Sequence, residues 1–281
     1  MDAKYHIEDG CIYFNCDFNE PLDNYANIMK NCTQIIFSNY CNYELCIKTK
    51  NNYDDGFDII FMYNKYNKPL GNSLDHQTQL SQITFGFYFN CPLGNSLNQL
   101  VQLSQLTFGF TFNCPLGNSL NNLTQLEQLT FGYYFNCPLE NSIIQLTQLK
   151  QLIFGDCFNY PLENSLNQLT QLVELTLGYY FNQELVIPLN IKKLKLNCNN
   201  INLIENLPNN IEELEFDYNF NQPLTNLPNS TKIITFKPKS KYNQPLTNLP
   251  HFLEKLYLPI EYNKEIKNTN YKCVIIKQKI E

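Results

Sequence analysis

A perfect internal repeat constrains this chain more than any other feature of its sequence. The ten residues FNCPLGNSLN occur at residues 89–98 and again, unchanged, at residues 112–121. An aromatic residue followed by asparagine then recurs every 23 residues, at Tyr66-Asn67, Phe89-Asn90, Phe112-Asn113, Phe135-Asn136, Phe158-Asn159 and Phe181-Asn182. A fixed period of this length is typical of a repeat protein, in which one supersecondary unit is copied and stacked.

Weaker copies extend the series in both directions. They are Phe18-Asn19 and Cys41-Asn42 upstream, and Ile201-Asn202, Phe220-Asn221, Tyr242-Asn243 and Tyr262-Asn263 downstream. About twelve units result, which we interpret as a single solenoid over residues 1–281. We expect divergent coils and a cap at 1–65, regular repeats at 66–188, shorter repeats at 189–263 and a C-terminal cap at 264–281.

The apolar spacing changes within each unit. In the unit that begins at Ser119, leucines fall at 120, 123, 126 and 129, and Phe131 follows two residues later. A helix would need mixed steps of three and four, and the proline and Gly/Asn/Ser cluster of each unit interrupt it before two helices could form. Repeats built from helix pairs need about 34 residues, whereas leucine-rich coils need about 20–29.

The pattern therefore predicts a β-rich solenoid. We expect a leucine-rich-repeat-like stack of about twelve coils with one long parallel sheet and short irregular or 3-10 convex segments. Stacking is required because the leucines of one coil can be buried only by the coils beside it. The predicted strands are centred on Ile83–Phe85, Leu106–Phe108, Leu129–Phe131, Leu152–Phe154, Leu175–Leu177, Leu194–Leu196, Leu214–Phe216, Ile234–Phe236 and Leu256–Leu258, with a terminal strand at Tyr271–Ile280.

Two motifs resemble known repeat families. Residues Ile191–Ile201, IKKLKLNCNNI, are similar to the leucine-rich-repeat pattern LxxLxLxxNxL, with Asn199 at its asparagine. The element FNxPL that closes most units resembles the FNIP repeat, a leucine-rich-repeat relative found in slime moulds and in giant viruses of amoebae. The third position departs from the family's isoleucine, being cysteine at 91, 114 and 137.

The resemblance implies a non-enzymatic protein-interaction scaffold that presents a concave parallel sheet. In some relatives an F-box precedes the repeats, which implies a substrate-recruiting adaptor. Here the first unit is under way by Phe14, so we expect such a module to come from a partner. The alternative is a self-associating structural repeat protein without a dedicated ligand.

The repeated pair has a structural interpretation. A side-chain amide offers donors and an acceptor, so stacked asparagines can satisfy backbone groups that are left free where the strand bends away. We expect one such ladder at Asn90, Asn113, Asn136, Asn159 and Asn182. The regular spacing of Phe89, Phe112, Phe135, Phe158 and Phe181 predicts an internal aromatic spine rather than a cofactor box.

Three rows of outward positions should flank the strands. The first two run Gln82, Gln105, Gln128, Gln151, Glu174, Lys193, Glu213 and Thr84, Thr107, Thr130, Ile153, Thr176, Lys195, Glu215. The third is glycine at 86, 109, 132, 155 and 178. Because identical rows make poor specificity elements, we expect any protein partner to bind the variable region formed by Glu174, Thr176, Lys193, Lys195, Glu213 and Glu215.

The composition argues against several other functions. The 20 basic residues are all lysines and the net charge is −6, unlike a nucleic-acid-binding protein. The charge is uneven, since residues 1–188 hold 7 Lys against 17 acidic residues (net −10) and residues 189–281 hold 13 against 9 (net +4). No catalytic motif and no paired Cys or His spacing typical of zinc occurs, so we expect no cofactor.

The same features bear on localisation. No apolar run is long enough to cross a membrane, and the N-terminus lacks the profile of a secretory signal. We therefore expect a cytoplasmic protein, in the host cytoplasm if it is viral, with its 11 cysteines reduced.

Overall fold

The computed structural model describes residues 4–37, 64–162, 164–267 and 273–278, and the backbone of two short strands at residues 48–50 and 57–59. The chain divides into two compact units, Met1–Phe135 and Asn136–Glu281. Each unit is a β-solenoid whose successive coils add one short strand to a parallel sheet, which confirms the predicted fold.

The described residues of the first unit form eight strands: β1 (Tyr5–Glu8), β2 (Cys11–Phe14), β3 (Gln34–Phe37), β4 (Lys48–Lys50), β5 (Phe57–Ile59), β6 (Gln82–Thr84), β7 (Gln105–Thr107) and β8 (Gln128–Thr130). Its main sheet has the order β1-β2-β3-β6-β7-β8. Strand β1 is antiparallel to β2, and the later pairs in this sheet are parallel. Strands β4 and β5 form a separate antiparallel pair. A 3-10 helix at Leu22–Tyr25 leads into the short helix α1 (Ala26–Met29).

The second unit contains seven strands in sequential order: β9 (Gln151–Ile153), β10 (Glu174–Leu177), β11 (Lys193–Leu196), β12 (Glu213–Phe216), β13 (Ile233–Phe236), β14 (Lys255–Pro259) and β15 (Val274–Gln278). All of these pairs are parallel. One short helix, α2 (Ile201–Glu205), lies between β11 and β12. The strands from β6 to β14 fall within about one residue of their predicted positions because the switch to two-residue apolar spacing marks them, whereas β15 begins at Val274, later than the predicted start at Tyr271.

In the regular 23-residue coils the convex side is a chain of tight turns rather than a helix. Between β6 and β7 the backbone nitrogens of Ser96, Asn98, Leu100 and Leu103 each donate to the carbonyl three residues earlier, at 3.0–3.1 Å. The leucines at 97, 100 and 103 point inward and are fully buried. A leucine every third residue is therefore the signature of consecutive three-residue turns, each of which directs one side chain into the core.

Two rows of phenylalanines fill the core beside the strands. The Phe89, Phe112 and Phe135 rings are fully buried and stack with neighbouring centroids 6.0 Å apart. Phe85 and Phe108, which follow their strands directly, form a second row and lie 4.0 Å from the first-row ring of their own coil. In the second unit the Phe158 and Phe181 rings are also buried, with their centroids 6.2 Å apart. Each coil thus supplies aromatic surface to the next.

Near the N-terminus the described residues form fewer coils than the sequence predicts. The backbone nitrogen of Asn67 donates to the side-chain oxygen of Asn19 at 3.1 Å, the same bond that joins consecutive coils elsewhere. Strand β3 accordingly pairs directly with β6. The predicted unit at Cys41-Asn42 lies outside the described residues. The described part of the chain makes about eleven turns, close to the predicted twelve.

The unit aligned on Ile201-Asn202 is out of register by three residues. Asn199, not Asn202, accepts the backbone N–H of Asn221, and the buried Cys198 occupies the place of the aromatic residue. The side chain of Asn200 caps α2 by accepting the N–H of Leu203 at 3.2 Å. The segment after Asn199 therefore turns into a helix, and Ile201 and Asn202 belong to its first turn.

Candidate functional site

The glycine that follows each regular strand determines which residues reach the surface. A Cβ on Gly109 would lie 1.7 Å from the carbonyl oxygen of Gly86, and one on Gly132 would lie 1.8 Å from that of Gly109. No side chain fits so close to a neighbouring backbone. The expected third outward row is therefore wrong, because the chain of the adjacent coil fills that space. The close approach instead turns the next two residues outward.

The asparagine ladder joins neighbouring coils through side chain and backbone. Asn90 and Asn113 each donate their backbone N–H to the side-chain oxygen of the asparagine one coil earlier, at 2.9 and 2.8 Å. In the second unit Asn159 and Asn182 do the same at 3.0 and 2.8 Å, the first of them to Asn136. Most of these asparagines are exposed, so the ladder lies along a surface edge and not in the interior. We therefore expect each bond to contribute less than a buried one.

The variable region forms a lattice of alternating charge on the sheet face of the second unit. Strand register places Glu174 beside Lys193 and Lys193 beside Glu213, with Thr176, Lys195 and Glu215 forming the parallel row. The closest ion pairs are Lys195 Nζ to Glu174 Oε1 at 2.9 Å and Lys237 Nζ to Glu215 Oε1 at 2.7 Å. Lys193 lies 3.9 Å from Glu174 and 3.7 Å from Glu213. The structure thus brings all six predicted residues together and adds Lys237. We refer to Glu174, Lys193, Lys195, Glu213, Glu215 and Lys237 as the charge lattice.

Glu174 is the most enclosed member of the charge lattice, with its side chain 16% exposed. Burial alone would raise the pKa of this carboxyl, but hydrogen bonds from Lys195 and Gln151 and the two nearby lysines outweigh it and lower the pKa. Next to it Thr176 is buried, and its hydroxyl has no hydrogen-bond partner among the described residues. Glu174 therefore stays ionised and fixes the lysines of β11.

A second charged row, which the sequence analysis missed, lies one residue before each strand. Glu212 Oε2 accepts from Lys232 Nζ at 2.6 Å, and its other oxygen lies 3.5 Å from Lys192 Nζ. The alternation Lys192, Glu212, Lys232, Glu254 was visible in the sequence. These positions precede the strands, so the predicted rows of the sheet face did not include them.

The first unit instead exposes aromatic rings, a second feature that the sequence analysis missed. The Phe87, Phe110 and Tyr133 rings stack just past the glycine row, with centroids 4.6 and 4.8 Å apart. Tyr88 and Tyr134 meet this stack edge-on and are 45% and 49% exposed. We refer to these five residues as the aromatic strip. Its signal in the sequence was an aromatic residue after the glycines at 86, 109 and 132, at the 23-residue period.

One open cleft lies among the convex turns of the second unit. It has a volume of about 560 Å3 and is lined by Pro138, Glu140, Tyr160 and Pro161, among others. Glu140 has a positive φ of 47°, at the position where earlier coils have Gly94 and Gly117. The cleft therefore coincides with a change in turn sequence, and its lining contains no arrangement of nucleophile and base.

The described residues offer little for metal or redox chemistry. No group of three or more His, Cys, Asp or Glu side chains within them could hold a metal ion. Cys16 is disulfide-bonded, so the expectation of fully reduced thiols is wrong there, while the other described cysteines form no disulfide. Burial raises the pKa of the Cys91 and Cys137 thiols, which makes them poor nucleophiles. No helix among the described residues is long and apolar enough to span a bilayer.

Comparison with known proteins agrees with this architecture. Residues 199–238 match the family model described as FNIP Repeat. No functionally curated protein matches the chain. Among solved structures the chain is similar to CroV588 of a giant virus, described as a novel circular LRR protein, with 25% identity and a TM-score of 0.53 over 98% of this chain and 50% of that one. The chain thus spans half the length of that protein.

A second similar structure comes from a bacterium. It is an internalin, inlF from Listeria monocytogenes, with 12% identity and a TM-score of 0.53 over 95% of this chain and 74% of that one. At this identity the likeness concerns the fold alone. Taken together, the repeat match in residues 199–238 and these two structures show a leucine-rich-repeat-like fold of a kind typical of protein-interaction scaffolds.

Proposed function

We propose that this chain is a non-enzymatic scaffold that binds a protein partner through the sheet face of its second unit. The charge lattice is the observation that carries the proposal. Its six charged side chains come from four neighbouring strands or their ends, and the backbone hydrogen bonds of the sheet hold them in register. A surface fixed in this way loses little side-chain entropy when a partner binds.

The lattice also suggests the chemistry of the partner. Three lysines and three glutamates alternate, so the surface has no net charge and offers no continuous track for a phosphate backbone. A nucleic acid would need an excess of lysine here. A folded protein surface with its own alternating charges can match the lattice position by position, which gives specificity more than affinity.

The aromatic strip is a second surface of the same functional class. Exposed tyrosines are enriched among the residues that contribute most to protein–protein binding because they combine a large apolar area with a polar tip. Tyr88 and Tyr134 are presented on stacked rings and have few torsions to lose. We propose that this strip supplies apolar contact area, whereas the charge lattice supplies selectivity.

Inversion of the charge lattice tests the proposal without breaking its internal pairs. The variant carries Glu174→Lys, Lys193→Glu, Lys195→Glu, Glu213→Lys, Glu215→Lys and Lys237→Glu. It keeps the net charge and every opposite-charge pair but reverses the field that a partner meets. A matched control, Asp17→Lys with Lys65→Asp, swaps an exposed pair of 2.7 Å in the first unit.

Affinity capture from an amoebal lysate, followed by quantitative mass spectrometry, compares the three proteins. We expect partners that the wild type and the control both capture to fall by at least about tenfold with the inverted lattice, since like charges would then face each other. Ubiquitin-ligase subunits among those partners would identify the adaptor form of the scaffold. Capture of an unchanged set by the inverted variant would rule out the lattice as the recognition surface.

A further inference from the structure

The first and last strands of the described sheets share an unusual feature. Ile7 on β1 pairs with the fully buried Ile12, and Ile275 on β15 pairs with the fully buried Leu256. Both isoleucines therefore occupy the register of the core row. Nevertheless Ile7 is 49% exposed and Ile275 is 42% exposed. In each case no further described strand covers the side chain, so a core position is left open to solvent.

The backbone at these two places is also open. In the strand order β1 pairs only with β2, and β15 pairs only with β14, among the strands that the structure describes. A strand paired on one side presents a row of unsatisfied N–H and C=O groups, which is a template for another strand. Each edge thus combines backbone groups that need partners with an apolar side chain that needs cover.

A charge at the inward position commonly blocks such an edge, and Lys277 occupies that position on β15. Its ammonium group, however, lies 5.0 Å from the centre of the Tyr262 ring and donates to the Tyr262 carbonyl. The charge is therefore held by its own coil. On the same strand Val274 and Ile275 remain exposed, and Ile276 is half-buried.

The two edges also lie in parts of the chain with opposite charge. Residues 1–188, which contain β1, carry a net charge of −10, and residues 189–281, which contain β15, carry +4. Glu8 and Asp9 at the end of β1 are exposed acids, whereas the exposed Lys264 lies in the segment of chain before β15. Opposite charge favours an encounter between unlike edges and disfavours one between like edges.

We propose that these edges bind each other in two copies of this chain, so that β15 of one copy pairs with β1 of the next. For the solenoid to continue from one copy to the next the pairing is antiparallel, because β15 runs parallel to β14 within its unit and β1 runs antiparallel to β2 within its own. Aligning Ile275 with Ile7 continues the core row and sets Val274 opposite Glu8 and Ile276 opposite His6. The contact joins two different surfaces, so association proceeds head to tail. This self-association is separate from the proposed partner binding.

Single edge variants test the pairing. Ile275→Lys places a charge in the core row at the C-terminal edge, and Ile7→Lys does so at the N-terminal edge. Val274→Glu is a second C-terminal-edge variant, which leaves the core row intact but places a like charge opposite Glu8, and Val186→Lys changes an exposed apolar residue, 90% accessible, away from both edges. Far-UV circular dichroism and thermal melts check that each variant keeps the wild-type fold.

Sedimentation velocity over a wide range of protein concentration measures association. We expect the wild type and Val186→Lys to associate reversibly, more weakly at high salt, and each edge variant to weaken association by at least about tenfold. An equimolar mixture of Ile7→Lys and Ile275→Lys should form dimers but no larger assemblies. The first variant keeps an intact β15 edge and the second keeps an intact β1 edge, so only one pairing is possible. A wild type that is monomeric at every concentration, or an Ile7→Lys protein that dimerises alone as tightly as the wild type, would overturn the proposal.

Discussion

The backbone nitrogen of Asn113 donates to the side-chain oxygen of Asn90 at 2.8 Å, one coil earlier. Asn90 in turn donates its own backbone N–H to Asn67 at 2.9 Å. One residue type thus acts as acceptor toward one neighbouring coil and as backbone donor toward the other. The same bond joins Asn67 to Asn19 and Asn221 to Asn199, which lie 48 and 22 residues apart, so the ladder depends on the spacing of the coils and not on the length of chain between them.

Replacing Asn90 tests the ladder. Asn90→Ala removes the acceptor for Asn113 and should lower the free energy of unfolding by about 0.5–1.5 kcal/mol, because the site is exposed and water replaces part of the bond. Asn90→Asp keeps an acceptor oxygen and should lose less. Urea unfolding at neutral pH measures both. Equal losses for the two variants would show that the side chain does not act as an acceptor.

The Phe112 ring tests the stacked core. It is fully buried, and its centroid lies 4.0 Å from that of Phe108 and 6.0 Å from those of Phe89 and Phe135. Phe112→Ala should therefore destabilise the protein by about 3–5 kcal/mol through lost contacts and a residual cavity. Tyr134→Ala, at an exposed ring of the same unit, should change stability by no more than about 0.5 kcal/mol. Similar losses in the two chemical denaturation curves would argue against an internal spine.

The positions of the strands and the charged neighbours across them could be predicted from the sequence, because the repeat makes each local pattern appear several times. The leucine at every third residue and the switch to Leu-x-Phe located the strands around Leu106 and Leu129, and their apolar side chains point inward as expected. The alternation of Glu174, Lys193 and Glu213 indicated neighbours across strands, and the observed register places them so.

Other features depend on how closely the backbones of neighbouring coils approach each other, which a residue pattern does not reveal. The glycine at 109 looked like one more outward position, but its space is taken by the carbonyl of Gly86. The displaced unit near Asn199 arises from a helix cap at Asn200, a competition between two local structures that spacing alone did not resolve. The half-buried, stacked rings of Phe110 and Tyr133 follow the same glycine turn, and the residue pattern alone did not indicate them.

Two substitutions test the backbone at Gly109, which contacts the adjacent coil, and at Glu140, which has a positive φ. Gly109→Ala would place a Cβ on the backbone of the adjacent coil and should destabilise the protein by more than about 2 kcal/mol. Glu140 has a positive φ of 47°, so Glu140→Gly should raise stability by up to about 1 kcal/mol by relieving left-handed strain. Thermal melts measure both. A neutral Gly109→Ala would mean that the coils are further apart than described.

Stability should fall in acid through Glu174. Burial raises the pKa of this carboxyl, but its hydrogen bonds and the charges of Lys193 and Lys195 lower it more, so the folded protein holds the proton less tightly than the unfolded chain. The stabilisation is therefore complete above the ordinary glutamate pKa of about 4.3 and disappears as the pH falls through the lower folded pKa. Glu174→Gln should be less stable than the wild type at neutral pH, and the difference should vanish in acid.

Urea unfolding of both proteins from neutral to acidic pH measures this difference. Glu205→Gln, at an exposed residue outside the charge lattice, serves as the control and should stay within about 0.5 kcal/mol of the wild type at neutral pH. A difference between Glu174→Gln and the wild type that persists unchanged into acid would mean that Glu174 contributes by packing rather than by charge.

The stacking of coils at one strand per repeat is tested most directly by engineered disulfides. Gln82 and Gln105 are paired across β6 and β7, and Gln105 and Gln128 are paired across β7 and β8. Neighbouring strands lie about 4.8 Å apart, within the Cα range of a disulfide, whereas strands two apart lie about 9.6 Å from each other and are beyond it. Under mild oxidation, peptide mapping by mass spectrometry should find the cross-link in the Gln82→Cys/Gln105→Cys protein and not in the Gln82→Cys/Gln128→Cys protein. The reverse result, or equal cross-linking of both, would contradict the stack.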